Sequence, residues 1–197
     1  MSTDPYKEKN KEEPGTAEKI KDLSDFISSS KFGMMTTRAP SGGLLVSRAM
    51  GVAAQEADGL DLIFHTNTDS GKTDDLASDP HVNISFLDAT GNWASISGVA
   101  SVLDDRAAVK KYYSPSLKAW LGDLGDGVHD GSENDPRIGV IKVAAKTATY
   151  AVNRGTMVGR AVEIVKGAVT GEAAQVNKLR EISEGEIAAY RKGSSST

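Results

Sequence analysis

Polar side chains that can hold an anion follow two neighbouring strand-like segments of this chain. Arg48 lies within the first segment, and Thr66, Ser70 and Lys72 come directly after the second. If the segments pair as a hairpin, one arginine, one lysine and several hydroxyls converge. Two cations match the charge of a phosphomonoester, and each charge-assisted hydrogen bond is worth about 1.5–3 kcal/mol. A helix that begins at Ser70 or Gly71 would add its N-terminal amides. Spacing alone also fits, and slightly favours, a helix cap with two solvated cations.

Complete nucleotide-binding motifs are absent from the sequence. Gly71-Lys72-Thr73 matches the end of a phosphate-loop motif, but the glycine required five positions earlier is Thr66. No Gly-x-Gly-x-x-Gly motif follows a strand-like segment, so the dinucleotide-binding signature is missing too. The sequence therefore argues against a nucleoside triphosphatase and against a nicotinamide-dinucleotide fold.

Metal-binding motifs are incomplete in the same way. His65, His81 and His129 stand alone, without the paired spacing of a zinc site. Residues 126–137 resemble a calcium loop only superficially, because Val128 and Arg137 occupy the third and twelfth positions, where calcium needs oxygen ligands. The chain has no cysteine, which excludes disulfides, cysteine-ligated metals, thiol nucleophiles and cysteinyl–flavin photochemistry. We expect no metal site.

The composition is that of an ordinary globular domain. The 197 residues include 39% apolar and 25% charged residues, and 23 basic against 27 acidic side chains give 23 − 27 = −4. An acidic chain without a cluster of Lys or Arg is a poor ligand for nucleic acid. No apolar run is long enough to span a membrane, and the first residues lack the apolar core of a signal peptide. We therefore expect a cytoplasmic protein that binds neither membranes nor nucleic acid.

Composition along the chain divides it into a core with two tails. Residues 1–15 are predicted to be a disordered tail because charged residues dominate them, and residues 193–197 a flexible Gly/Ser tail. Residues 16–192 are predicted to form one domain. It begins with a helix capped by Thr16, whose apolar positions Ile20, Leu23, Phe26 and Ile27 recur at spacings of three and four.

The segments after this helix have strand character. Short β-branched and aromatic runs separated by turn residues predict strands over residues 32–37, 44–52, 60–66, 81–88, 93–103 and 138–152. Further helices are expected at about 69–79, with Ser70 as N-cap, at 104–113 with Asp104 as cap, at 156–166 and around 186–191, and residues 122–137 are predicted to be a surface loop. Hairpin-length connections exclude a parallel series, and antiparallel strands avoid free edges by closing. We predict a mainly β, α+β protein: a small six-stranded antiparallel barrel with flanking helices.

Several motifs in this order resemble those of the FMN-binding split barrel. They are Ser47-Arg48-Ala49-Met50, Phe64-x-Thr66 with Ser70-x-Lys72, and Ser95-Ile96-Ser97-Gly98-Val99-Ala100 followed by Asp104. More narrowly, the chain resembles pyridoxamine 5′-phosphate oxidase-like proteins of the bacterial general stress type and the fungal blue-light-inducible proteins. The resemblance covers about residues 16–170.

This resemblance implies a homodimer that holds FMN in two symmetric clefts between the subunits, and a role in stress response. It places Arg48 and Lys72 on the phosphate, with Thr66 and Ser70 as hydroxyl donors. It places Ala49, Met50 and Phe64 beside the flavin ring, with Trp93 approaching from the partner subunit and Trp120 matching an aromatic position of the family.

The chain also departs from the family pattern. Ala151 follows Tyr150 where the family has Trp, and Ala49 replaces a Pro. The residues that recognise pyridoxal phosphate in the true oxidases are not found, so vitamin B6 oxidation is not expected. No side chain stands out as a catalytic acid or base, and the substrate and the preference between NADH and NADPH stay open.

Three functions fit these expectations. The first is an FMN-dependent oxidoreductase that passes hydride or electrons from a reduced donor to a small acceptor. The second is a non-catalytic FMN sensor or reservoir, and the third is a cleft for another cofactor, such as haem or a deazaflavin. From the sequence, Lys72→Ala and Arg48→Ala are both expected to weaken FMN binding while leaving the fold intact.

Overall fold

The computed structural model describes residues 4–155 and 157–194 of the chain. Seven strands form one antiparallel sheet around which the helices pack. The strands are β1 (Phe32–Arg38), β2 (Leu45–Glu56), β3 (Asp61–Asn67), β4 (His81–Leu87), β5 (Trp93–Leu103), β6 (Ile138–Asn153) and β7 (Asn177–Ile182).

The sheet closes on itself as a six-stranded barrel. Its strand order is β3-β2-β1-β4-β5-β6-β7, and β3 also pairs with β6, from Asp61 opposite Ala144 to Asn67 opposite Ile138. Strand β6 is long enough to change neighbours. Its first half closes the barrel against β3, whereas its second half pairs with β7 outside the barrel. The predicted six-stranded antiparallel barrel with flanking helices is confirmed.

Of the helices that the structure describes, two precede the first strand, three lie between barrel strands, and two follow β6. They are α1 (Pro5–Asn10), α2 (Thr16–Ser30), α3 (Gly71–Ser78), α4 (Arg106–Tyr112), α5 (Lys118–Leu121), α6 (Met157–Thr170) and α7 (Glu184–Ser194), with 3-10 turns at Ala57–Gly59 and Pro115–Leu117. No helix within the described residues is long and apolar enough to cross a bilayer.

One hydrophobic core joins the barrel interior to α2. Alternation along each strand sends every second side chain inwards, as with Val82, Ile84 and Phe86 of β4. The predicted stripe on α2 is buried in the same cluster. Tyr150 of β6 is fully buried and donates its hydroxyl hydrogen to the carbonyl oxygen of Lys19 at 2.8 Å, which fastens α2 to the barrel.

The N-terminal segment differs from the predicted disordered tail. Residues 5–10 form α1, and Asn10 at its end is fully buried. The Asn10 side-chain amide donates to the Ala174 carbonyl at 2.9 Å, and its oxygen accepts from the backbone amides of Val176 and Asn177. One polar side chain thus satisfies several backbone groups beside β7, a contact that a composition argument does not detect.

Strand β7 is absent from the sequence prediction. Its residues, Asn-Lys-Leu-Arg-Glu-Ile, are mostly polar, and of its three buried residues, Asn177, Arg180 and Ile182, only Ile182 is apolar. The Arg180 guanidinium forms ion pairs with Glu12, Glu18 and Asp22, which supply the charge that allows its burial. This ionic cluster replaces the apolar alternation that strand prediction depends on.

Several helix boundaries also differ in detail. Gly15 rather than Thr16 precedes α2, and Asp105 rather than Asp104 caps α4 by accepting from the Ala108 amide. Ser70 does stand at the N-cap of α3, but its side chain does not cap the helix. Helix α7 continues to Ser194, so the predicted C-terminal tail begins in helix. Residues 195–197 of that tail, and the predicted helix start at Thr156, lie outside the described residues.

Candidate functional site

A groove of about 710 Å³ lies between the barrel and the chain segment that follows α4. Its floor is formed by β2, from Ala49 to Ala53, and by the end of β3 at residues 65–67. Its wall is formed by residues 112–121, from the end of α4 through α5. The volume falls within the range of small-molecule and cofactor sites.

Lys72 is the cation of this groove. It is half-buried in the first turn of α3, and its Nζ donates to Ser70 Oγ at 2.6 Å, which in turn donates to the carbonyl oxygen of Asn67 at 2.7 Å. Within residues 4–155 and 157–194, no carboxylate forms an ion pair with Lys72. Burial, and secondarily the charge of Arg48, lower the pKa of Lys72 below 10.5. A bound anion would counter both effects, so the groove has the electrostatics of an anion site.

Arg48 is a neighbour of Lys72 but has a carboxylate of its own. Its guanidinium donates to Asp75 Oδ2 at 2.9 Å and to Thr37 Oγ1 at 2.8 Å, and Thr37 also donates to Asp75 at 2.7 Å. Asp75 and Thr37 are buried. The charge of Arg48 is therefore largely matched within the protein, which differs from the expectation of two free cations. Its substitution is also not expected to leave the fold intact.

The remaining lining of the groove is mainly apolar and aromatic. Phe32 and Met50 lie on the floor side, and Tyr112, Leu117 and Trp120 lie on the wall side. Trp120 is 84% exposed and therefore leaves most of its indole free for a further contact. A planar, apolar ligand ring matches such a surface.

The aromatic wall is held to the barrel by polar contacts. The Tyr112 hydroxyl donates to Glu56 Oε1 at 2.8 Å, and the Tyr112 carbonyl lies 2.7 Å from His65 Nε2. Since a carbonyl only accepts, the His65 imidazole donates its Nε2 hydrogen there. Hydrogen bonds from Lys111 and then from Tyr112 lower the pKa of Glu56 to about 2. Glu56 is thus ionised and orients Tyr112 at neutral pH.

The predicted surface loop, residues 122–137, braces the other end of the wall. Its Asp135 is fully buried and pairs with Arg137 at 2.7 Å. Arg137 donates in turn to the carbonyl oxygens of Leu121 at 3.1 Å and Gly122 at 2.8 Å, which end α5. The Arg137 guanidinium is the main cause that lowers the pKa of Asp135 to about 2. Because Trp120 immediately precedes Leu121, the bond from Arg137 to the Leu121 carbonyl also positions Trp120.

Of the nine residues that the sequence predicts for cofactor binding, the structure places six in or at the edge of the groove and three outside its lining. The groove brings together Ala49, Met50, Thr66, Lys72 and Trp120, and Ser70 contacts Lys72 at its edge.

Three of the nine lie away from the groove lining. Arg48 lies beside the groove and is bound to Asp75. Phe64 does not line the groove, because alternation along β3 turns it into the barrel core, where it is fully buried. Trp93 begins β5, paired with Leu87 and Ala151, and does not line the groove of its own chain.

Sequence reasoning missed the His65, Tyr112 and Tyr113 side of the groove. Tyr112 and Tyr113 are adjacent aromatic residues at the end of a predicted helix, and His65 alternates with Phe64 and Thr66. The sequence shows these residues, but only the packing of α4 against β3 brings His65 next to Tyr112. Within the described ranges, no group of three His, Cys, Asp or Glu side chains is placed to bind a metal ion.

The fold and groove define an antiparallel split barrel with a half-buried lysine beside an aromatic wall. A model of the family described as pyridoxamine 5′-phosphate oxidase like matches residues 18–175. The chain belongs to the pyridoxamine 5′-phosphate oxidase-like family.

Individual relatives agree with this assignment. Protein bli-3 of Neurospora crassa is 57% identical over 190 residues, which cover 95% of this chain and 91% of the relative. Among solved structures, a Clostridium acetobutylicum protein related to general stress protein 26 has a TM-score of 0.56 at 20% identity, covering 68% of this chain and 87% of its own. A pyridoxamine 5′-phosphate oxidase-related, FMN-binding protein of Nostoc punctiforme has a TM-score of 0.53 at 15% identity, covering 71% and 83% respectively.

Proposed function

We propose that the chain binds flavin mononucleotide in the groove between β2, β3 and residues 112–121. The observation that carries this proposal is Lys72, a half-buried cation that has no carboxylate partner among the described residues and lies beside an apolar surface. The phosphate takes the position of the missing counter-ion, near Thr66 and Ser70 and the first amides of α3. The Nostoc relative named as FMN-binding shares the fold and supports the same ligand.

The isoalloxazine ring is assigned to the aromatic part of the groove. Met50 and Ala49 border the floor, and Tyr112 and Trp120 border the wall. Burial of a planar ring against these side chains contributes about 25 cal/mol per Å² of apolar area removed from water. Arg48 acts in this account by polarising the site and by fixing Asp75, with its remaining N–H groups directed to solvent or phosphate.

The protein is proposed to work as a homodimer with one groove per chain. Phe32 and Leu87 project from the outer face of the sheet and are 64% and 75% exposed, and Met34, two residues along β1 from Phe32, projects from the same face. A cluster of exposed apolar side chains, rimmed by polar residues, is typical of an interface with another protein chain. Trp93, on the same face, is proposed to reach the groove of the partner.

An oxidoreductase is the activity we propose for the dimer. FMN, when bound, supplies hydride and single-electron transfer. The chain contributes orientation: Lys72 holds the anionic end, Glu56 and His65 fix Tyr112, and the aromatic wall excludes water from the ring. The electron donor and acceptor are small molecules that reach the open side of the groove.

A non-catalytic flavin reservoir or sensor is the second candidate. It is favoured by the absence of Asp and Glu among the described residues that line the groove, and by the hydrogen bond between His65 Nε2 and a backbone carbonyl. Such a site holds its ligand but offers few groups for proton transfer. Oxidation of NADH and NADPH across a panel of acceptors separates the two candidates: turnover supports the enzyme, and a fully loaded protein without turnover supports the reservoir.

FMN titration of a Lys72→Ala variant tests the binding site. Loss of one charge-assisted bond costs about 1.5–3 kcal/mol, so the dissociation constant should rise by about 10- to 150-fold. Lys21→Ala, which removes an exposed lysine on α2, is the matched control and should bind as the wild type does. Equal affinity of both variants would remove Lys72 from the phosphate site. If the purified protein had the absorption spectrum of haem or of a deazaflavin, that cofactor rather than FMN would be the ligand.

A further inference from the structure

Helix α6 has its apolar side turned away from its own chain. Val158, Val162, Val165 and Val169 follow one another at spacings of four, three and four, and their exposed fractions range from 59% for Val162 to 82% for Val169. At about 100° per residue, these four side chains share one stripe along the helix. From Val158 to Thr170 no residue is buried.

The opposite side of α6 is the one that contacts the rest of the chain. Arg160, Glu163 and Gly167 are its partly buried residues, and they form a stripe about half a turn away from the valines. Arg160 donates to the carbonyl oxygen of Thr90 at 2.6 Å, and Gly167 lies against the backbone at Glu172. A surface helix ordinarily has the reverse arrangement, with apolar residues inwards. Among the residues that the structure describes, none covers the valine stripe of α6.

The position of α6 links it to a row of exposed apolar residues at one end of the outer face of the sheet. Phe32 pairs with Gly51, and Leu87 pairs with Trp93. The β1–β4 register, continued by two residues, aligns Phe32 with Leu87. These residues make one row across four strands, from the groove side at β2 to β5. Thr90, which anchors α6, lies in the turn between Leu87 and Trp93 at the far end of this row.

If a two-fold axis lies in the plane of contact and parallel to the strands, this row faces its own copy. The axis places β5 of one chain opposite β2 of the other, because the row runs from β2 through β1 and β4 to β5. The α6 end of each chain then lies at the groove end of its partner. We propose that α6 packs across the groove of a second copy of this chain, with the valine stripe against the rim formed by Phe32 and Trp120.

This inference rests on the homodimer of the proposed function, and it adds a wall to the site. Trp120 and the valines are among the most exposed apolar side chains of the described chain. In the dimer, each would give the other an apolar surface to pack against. A membrane surface fits α6 less well. Between Met157 and Thr170 only Arg160 and Lys166 are cationic, and the chain carries a net charge of −4, whereas membrane-surface helices are rich in Lys and Arg.

Cross-linking between two differently tagged copies tests the contact, and the absence of native cysteine gives a clean background. One copy carries Val165→Cys and the other Ser116→Cys, at the groove wall. A short bismaleimide should join them into a covalent heterodimer. Glu163→Cys replaces Val165→Cys as the matched control, because this position faces its own chain, and its yield should be several-fold lower.

Fluorescence of the FMN-loaded, full-length protein supplies a second measurement. Val162→Asp combined with Val165→Asp should shift tryptophan emission to longer wavelength and increase acrylamide quenching, because Trp120 loses its cover. Glu163→Gln should leave both unchanged.

Equal cross-linking from both faces of α6, or no cross-link in a chain that sediments as an FMN-loaded dimer, overturns this inference alone. A monomeric chain overturns both the dimer and the α6 contact. Binding of the protein to anionic phosphatidylserine vesicles through the valine stripe, without a cross-link, assigns α6 to a membrane instead.

Discussion

At the scale of single residues, Lys72 and Arg48 differ in what they contact although both are cations beside the groove. Lys72 donates to Ser70, and no carboxylate in the described part of the chain pairs with it. Arg48 binds buried Asp75 and Thr37, and so links β2 to β1 and α3. Lys72 is therefore free to take the ligand role that we propose for it, whereas Arg48 joins the strands and helix beside the groove.

Arg48→Ala should lower stability as well as FMN affinity. Removing the guanidinium leaves a buried carboxylate without its cation, and loss of a charge-assisted bond of this kind costs about 1.5–3 kcal/mol. Urea unfolding of the apo protein measures the effect without the ligand. Arg38→Ala, which removes an exposed arginine that pairs with Asp79, is the control and should cost less than about 1 kcal/mol. An Arg48→Ala protein as stable as the wild type would contradict the structural role.

Residue types predicted part of the site but not the partners of each residue. Lys72 and Thr66 could be placed because they follow or end a predicted strand, whereas Met50 was placed through the family resemblance alone. The pairing of Arg48 with Asp75 depends on how α3 packs against β1, which spacing along the chain does not specify. Phe64 shows the same limit, since its neighbours in sequence line the groove while the pleat of β3 directs it into the core.

At the scale of elements, residues 122–137 act as a brace for α5. Buried Asp135 holds Arg137, and Arg137 holds the carbonyl groups at the end of α5. Five acids and four glycines predict a surface loop at this place. The loop is irregular, but its last residues are buried, because their backbone and charges are satisfied internally.

The Asp135 contact should make stability depend on pH in the acid range. Its pKa falls from an ordinary 3.8 to about 2 in the folded chain. A carboxyl with a lowered folded pKa contributes its full stability above about pH 4 and loses it as pH falls towards 2. Thermal unfolding of wild type and Asp135→Asn between pH 2 and 5 measures this contribution.

The two unfolding curves should converge as the pH falls. Above pH 4 the Asp135→Asn variant should unfold at a lower temperature than the wild type, and near pH 2 the gap should narrow. Asp123→Asn, at an exposed position of the same loop, should show no such trend. A gap that is constant from pH 2 to 5 would show that Asp135 does not act through its charge.

The N-terminal helix α1 should contribute measurably to the fold. Asn10→Ala removes the side chain that serves the backbone of Ala174, Val176 and Asn177, and unsatisfied buried groups of this type cost about 1–3 kcal/mol each. Limited proteolysis should cut the variant near its N-terminus faster than the wild type. Lys11→Ala is the neighbouring control. Equal cleavage of all three proteins would favour the tail that composition predicts.

Local patterns predicted the six barrel strands because their alternation and turns are recorded in the sequence itself. Strand β5 has the predicted bounds, and β1, β3 and β6 differ by a residue or so at their ends. Elements outside the barrel were harder to predict, since β7 and α1 are stabilised by Arg180 and Asn10, whose partners lie more than a hundred residues away. Such long-range polar contacts leave no local periodicity.

At the scale of the whole molecule, three apolar surfaces of the described chain are exposed to solvent. The row through Phe32 and Leu87, the indole of Trp120 and the valine stripe of α6 all lack cover in the single chain. In the proposed homodimer, the second copy would cover these surfaces and close the groove around FMN, so that the ligand site and the subunit contact would form one structure.

Sedimentation of the FMN-reconstituted protein, recorded at both protein and flavin absorbance, tests this central claim most directly. We predict that the flavin signal moves with a species of twice 20.7 kDa and corresponds to one FMN per chain. A colourless species of 20.7 kDa, with the added nucleotide left behind at the meniscus, would contradict it.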